Sequence, residues 1–347
     1  MVTTALIGCG PRGMEWIGPA LRESSRFRLL AVCDVDGARM EAASRRFGVP
    51  GEDLDRLLAR RDLQTVVIAT SARFHVPVAL RAVAAGKHIY VEKPLADSTA
   101  SARELVAAAR AAGVMGVVGY QARTAPFAAA LKQAVAAISP VQGLLTAHRV
   151  PLMEQFFFPD PYGGIMDDTT HTVDLALWAM GGRPEGVTAQ LRRGTIRGDA
   201  TIEYAQILVD FDAGSRSVCI QSSMFGASAA LNVLQFVGAR GVVTSTDRQT
   251  LRVALHDGVA SPGPTPPPGL RVQTVEPPSL GYQPQTIALL ERFADLVGGQ
   301  AVAADPPACD LAGGADVVAI LEAAARSAAE QRRVTLAEVG AGRGAAP

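Results

Sequence analysis

Four cysteines in 347 residues (Cys9, Cys33, Cys219 and Cys309) are too scattered for a disulfide framework, with no C-x-x-C pair and no histidine at metal-ligand spacing. A reducing, cytoplasmic setting is expected, and no metal. Charge of one sign is missing too: 33 Lys and Arg balance 33 Asp and Glu, which leaves no electrostatic footprint for nucleic acid or an anionic membrane. A small, neutral or locally recognised partner is expected instead. Charges interrupt every apolar run before membrane-spanning length, and no basic segment precedes a cleavable apolar stretch at Met1 to Ile7. The chain is therefore expected neither to span a membrane nor to be exported by such a signal, and no internal repeat is visible.

What is present is an apolar chain, 48% hydrophobic, long enough for two domains at roughly 150 residues each. Short β-type runs (5–7, 28–32, 65–69, 88–91, 114–118) alternate with amphipathic stretches, and their near-continuous hydrophobicity predicts a parallel sheet covered on both faces. Beyond Pro140 the pattern changes to long β-rich stretches (142–150, 187–193, 202–211, 215–224, 231–237, 241–246), which predict a large, mostly antiparallel sheet. Helical patterns fall at 165–180, 285–297 and 313–330. The expected fold is an α/β domain over 1–122, an α+β domain over 123–340 and a flexible tail over 341–347, with a proline-rich loop at 261–269.

Directly after the first run stands Gly8-Cys9-Gly10-Pro11-Arg12-Gly13, a G-x-G-x-x-G between strand and helix. The first glycine serves the tight turn, the second lets a pyrophosphate approach the backbone, and the third permits close helix packing. A glycine-rich turn without a ligand would look the same locally. Asp34 ends the second run 21 residues after Gly13, where a carboxylate accepts from a ribose diol and repels a 2′-phosphate, so NAD is favoured. Arg12 and Arg39 keep NADP open, and a helix N-cap is the alternative role for Asp34.

Thr70-Ser71 and Glu92-Lys93-Pro94 directly follow the runs at 65–69 and 88–91, so Glu92 and Lys93 are expected at the mouth of the ligand crevice. Pro94 keeps Lys93 out of a helix, leaving its ammonium either to polarise a substrate oxygen or to pair with Glu92 or Asp97. Asp167, His171 and Asp174, spaced i, i+4, i+7, share one helix face opposite Ile165, Val173, Leu175, Leu177 and Trp178. That stripe suits proton exchange with an alcohol, and a solvated helix face is the bland alternative. His75, Tyr120, Gln121, Arg123 and Arg149 are weaker candidates. The loop Phe156 to Tyr162 precedes the helix, either closing over a substrate or packing between subunits.

Taken in order, these motifs resemble the Gfo/Idh/MocA oxidoreductase family. The resemblance implies a Rossmann domain, a C-terminal open sheet through which dimers or tetramers form, and hydride transfer to or from sugars, cyclitols and related carbonyl compounds. It implies a catalytic role for Lys93, proton transfer by His171, a hydrogen bond between Asp167 and substrate or histidine, and an orienting role for Asp174. Gly8, Gly10, Pro11, Arg12, Gly13, Asp34, Thr70, Ser71, His75, Glu92 and Lys93 are expected to line the cofactor, and Lys93, Gln121, Arg123, Tyr162, Asp167 and His171 the substrate. Thr169 replaces the glycine usual two positions before the histidine, and Ala69-Thr70-Ser71-Ala72 departs from the usual A-T-P-N segment. An NAD-dependent glycoside hydrolase and a dinucleotide-sensing regulator are the alternative readings.

Overall fold

The computed structural model describes residues 1–148, 165–194, 201–224, 232–257, 269–299 and 308–340. These form two compact units: Met1–Thr124 with Leu280–Val318, and Ala125–Ser279 with the residues from Ala319 onward. The stretch 280–318, assigned from the sequence to the second domain, thus joins the first.

In the first unit, β1 (Val2–Ile7), β2 (Phe27–Cys33), β3 (Thr65–Ile68), β4 (His88–Val91) and β5 (Gly116–Val118) form a parallel sheet ordered β2-β1-β3-β4-β5. β3 is buried throughout and β4 all but throughout, so both read as unbroken apolar runs rather than alternating ones. The runs at 65–69 and 88–91 are therefore the third and fourth strands. The chain between β2 and β3 forms two helices, α2 (Gly37–Phe47) and α3 (Leu54–Ala59), and no strand. Because the strand order reverses between β1 and β3, a crevice opens outside their carboxyl ends, the usual ligand position in such sheets.

A π-helical turn (Gly13–Ile17) runs into α1 (Gly18–Glu23) after β1, α4 (Ala72–Ala84) follows β3, and α5 (Thr99–Ala111) follows β4. Ser98 caps α5 by accepting the Ser101 N–H, and Asp53 caps α3 from the Arg56 N–H. A late helix, α8 (Tyr282–Val297), completes this core. Its Leu289, Leu290 and Phe293 are fully buried, and Phe293 stacks on Phe27 with ring centroids 6.4 Å apart. Apolar burial of about 1.5–3 kcal/mol per large side chain explains why a segment so distant in sequence belongs here.

The second unit carries a nine-stranded sheet ordered β13-β12-β11-β10-β6-β9-β8-β7-β14. Its strands are β6 (Pro140–His148), β7 (Pro184–Arg193), β8 (Ile202–Phe211), β9 (Arg216–Ser223), β10 (Leu234–Gly238), β11 (Gly241–Ser245), β12 (Leu251–Leu255), β13 (Arg271–Val275) and β14 (Val334–Thr335). Among the described strands of this sheet, only the β6–β9 pair is parallel. In β8, Ala205, Ile207, Val209 and Phe211 are fully buried while Leu208 between them is 43% exposed, the period of two of a sheet covered on one face. The covered face of β6, β8 and β9 carries α7 (Ile165–Met180), which also packs on α6 (Pro126–Ala137). Arg216 at the start of β9 donates to the Met180 and Gly181 carbonyl oxygens (2.9 and 3.0 Å), satisfying acceptors left over at the α7 carboxyl end. The last helix, α9 (Leu311–Glu330), contains the boundary between the units. No described helix is long and apolar enough to cross a membrane.

Candidate active site

The three glycines of the first turn differ in what surrounds them. Gly8 has φ +100, and a Cβ there would lie 2.6 Å from the Ala69 carbonyl carbon, so strand approach and backbone conformation both demand glycine. A Cβ on Gly13 would lie 2.0 Å from the Gly8 carbonyl oxygen. Gly10 has nothing within 4 Å of its would-be Cβ. Two glycines are thus required by packing, and the third faces open space at the amino end of the π-helical turn, as backbone approach by a pyrophosphate requires.

Asp34 holds this turn in place. Its carboxylate accepts the Cys9 N–H at 2.6 Å and the Asp36 N–H at 2.8 Å. The capping alternative falls to Asp36, which accepts the Ala38 and Arg39 N–H groups at the start of α2. Asp34 therefore stays at the end of β2, half-exposed, with lone pairs to spare for a ribose diol. Burial, reinforced by Asp34, pushes the Cys9 thiol up to about 12, and burial with the same carboxylate takes Cys33 to about 11. Both thiols are neutral and unreactive at physiological pH.

Arg12 is engaged by two side chains of the same unit. Its guanidinium donates to Glu92 Oε1 (2.9 Å) and to the Tyr282 hydroxyl (2.6 Å), and lies 5.4 Å from the centre of the Tyr282 ring. Arg39 lies 3.5 Å from the Asp36 carboxylate at the surface. Glu92 also accepts from the Tyr90 hydroxyl at 3.1 Å and is only 3% exposed. The expectation of Glu92 at an open crevice mouth is corrected: this carboxylate is a buried anchor consumed by Arg12 and Tyr90. Burial drives the Tyr90 phenol well above its ordinary range, and the Glu92 charge adds to it. This cluster left no sequence signal, because Arg12, Glu92 and Tyr282 lie up to 270 residues apart.

Lys93 is half-buried at the end of β4. His75, expected against the cofactor, is 1% exposed with Nδ1 2.7 Å from the Pro94 carbonyl oxygen and Nε2 3.0 Å from that of Thr70. Both ring nitrogens thus face backbone carbonyl oxygens. Ser71 stands at the N-cap position of α4 without a side-chain capping bond, so its exposed hydroxyl is available to a ligand. After β5, Gln121 and Arg123 lie in a buried 3₁₀ turn (3% and 9% exposed), and the Gln121 side-chain oxygen has no hydrogen-bond partner.

In the second unit, α7 brings Asp167, His171 and Asp174 onto one face. Asp167 and His171 are half-buried and Asp174 is 1% exposed, so the stripe is not a solvated surface. Asp167 and Asp168 occupy the first turn, where the helix dipole favours negative charge. Thr169, at the position where a glycine was expected, is fully buried. Tyr162, Arg149, the loop 156–162 and the tail 341–347 lie outside the described residues. No described group of three or more His, Cys, Asp or Glu side chains could hold a metal ion.

A parallel sheet with a switch point, an open-faced glycine turn and an acid at the end of β2 define a dinucleotide-binding oxidoreductase domain. The chain matches the family model for the NAD-binding Rossmann fold of the GFO/IDH/MocA oxidoreductases over residues 2–120, and the GFO/IDH/MocA C-terminal domain model over 138–244. It belongs to the Gfo/Idh/MocA oxidoreductase family. Among its relatives, the D-apiose dehydrogenase of Paraburkholderia graminis is 30% identical over 76% of this chain and 72% of its own length. The inositol 2-dehydrogenase of Rhizobium meliloti is 26% identical over 97% and 99% of the two chains. The crystal structure of GenD2 from gentamicin A biosynthesis in complex with NAD superposes with TM-score 0.77 at 26% identity, covering 96% of each chain.

Proposed function

We propose that this chain catalyses the reversible NAD-dependent oxidation of a secondary alcohol on a sugar or cyclitol ring. The observation that carries this reading is the half-buried Asp167–His171 stripe of α7, present in one chain with the strand-end Lys93 and a nucleotide turn held by Asp34. A regulator that only sensed dinucleotide would have no use for the first two. The substrate class rests on relatives whose names specify a cyclitol and a branched sugar.

The nicotinamide supplies hydride exchange at the carbinol carbon. Lys93 polarises the substrate oxygen through its ammonium and steadies negative charge as the hydroxyl proton leaves. His171 takes that proton on a ring nitrogen, and Asp167 orients the substrate hydroxyl or the imidazole. In the reducing direction His171 returns the proton to the forming alcohol. Asp34 favours NAD over NADP, since its carboxylate would repel a 2′-phosphate. Assembly as a homodimer or homotetramer fits the uncovered sheet face, where Leu208 and Val237 are 43% and 38% exposed. A cytoplasmic location fits four cysteines that form no disulfide with one another.

Replacing Lys93 or His171 by Ala tests the assignment. Each variant should lose roughly 10²–10⁴-fold in kcat, the usual worth of a positioned proton-transfer group, and His171→Ala should bind NADH like the parent. Near-normal turnover in either would remove that residue from the mechanism.

A further inference from the structure

We propose that His75 is held as an imidazolium, donating from both ring nitrogens, and that it is the positioning residue for Lys93. Its two acceptors are the carbonyl oxygens of Thr70 and Pro94, in the segments that follow β3 and β4. A carbonyl only accepts, and a neutral imidazole has a single N–H. A neutral ring would therefore turn a lone pair toward one carbonyl, in a place only 1% exposed to solvent. Protonation satisfies both oxygens and makes both bonds charge-assisted, roughly twice as strong as neutral ones.

Two terms oppose the charge: burial itself, and the amino end of α4, in whose first turn His75 sits. Neither supplies the second donor that the two carbonyls require. The titratable groups on the elements packed around the ring are few. α4 packs on β3, β4 and α5. β3 carries no titratable side chain, and on α4 itself Arg73 and Arg81 are exposed. On β4, His88 stands at the opposite end and Tyr90 is bonded to Glu92, whose carboxylate is engaged by Arg12. Half-buried Lys93 and Asp97 follow β4, and Arg103, Glu104 and Arg110 on α5 are exposed. With one ring tying Pro94 to Thr70, the backbone next to Lys93 is fixed relative to the segment that carries Ser71. The role toward Lys93 rests on the dehydrogenase reading; the protonation state does not.

The test is nitrogen NMR of the whole protein labelled with ¹⁵N-histidine, which has five imidazoles to resolve. Loss of one signal set in His75→Gln assigns His75; if that variant does not fold, single substitutions of the other four assign it by elimination. Both His75 ring nitrogens should carry protons at about pH 8, where an ordinary imidazole with pKa ≈ 6.5 is neutral. One protonated and one bare nitrogen at neutral pH would overturn the proposal. In kinetics, His75→Gln should lower kcat by on the order of 10²-fold, the cost of a small misplacement, with the Kd for NADH unchanged. Unchanged kcat beside a doubly protonated ring would overturn the positioning role. Unchanged kcat in Lys93→Ala as well would indict the dehydrogenase mechanism instead.

Discussion

Gly10→Ala separates folding from ligand binding at the first turn. The added methyl would meet no atom within 4 Å, and Gly10 is not among the positive-φ glycines, so the fold should accept it. At a compatible position Gly→Ala stabilises by about 0.4–1 kcal/mol through the unfolded chain, raising Tm by about 1–4 °C. The same methyl occupies the open space that the pyrophosphate needs. Loss of one charge-assisted backbone bond, about 1.5–3 kcal/mol, weakens NADH by roughly tenfold to a hundredfold. Gly13→Ala is the contrast: its Cβ falls 2.0 Å from the Gly8 carbonyl oxygen, and the overpacking costs ~3 kcal/mol of stability. Thermal unfolding and NADH quenching of Trp16 fluorescence read the two effects separately. Gly10→Ala with parental affinity, or with a lowered Tm, would refute the division of roles.

Arg12→Ala leaves the Glu92 carboxylate buried without its cation and should cost roughly 3–5 kcal/mol in urea unfolding, with the double replacement by apolar residues recovering part of it. A loss below about 1 kcal/mol would show the pair to be incidental. Asp34→Ala removes the acceptor of the Cys9 N–H together with the ribose acceptor, so NADH should weaken more than tenfold and the gap to NADPH should narrow. Equal loss for both nucleotides would reduce Asp34 to a brace for the turn. Cys9 and Cys33, raised from 9.0 to about 12 and about 11, bind protons more tightly folded than unfolded. Their contribution is complete below about pH 9 and is lost as pH rises toward 11 and 12, so stability should fall on that alkaline limb and fall less steeply in Cys9→Ala.

The legible parts of this protein were those written in local spacing. The glycine turn, Asp34 closing β2 and the helix at 165–180 were all readable within a few residues, and α7 spans Ile165–Met180 as expected. What escaped was long-range pairing. Arg12 looked like a free cation near a phosphate, and Glu92 like a rim carboxylate, because nothing local shows that each is the other's partner 80 residues away. α8 was assigned by sequence order to the second domain, whereas the burial of Phe293 against Phe27 places it in the first. His75 was ambiguous for the same reason: its two acceptors are set by the meeting of segments after β3 and β4.

The central claim is that the dinucleotide is a stoichiometric redox partner of a ring alcohol. Its most direct measurement incubates the parent protein with NAD and a panel of cyclitols and sugars, following NADH formation and ring-ketone formation together. The account predicts one NADH per ketone, with activity abolished in His171→Ala. Consumption of a glycoside without net NADH, or binding of NADH with no turnover across the panel, would contradict it.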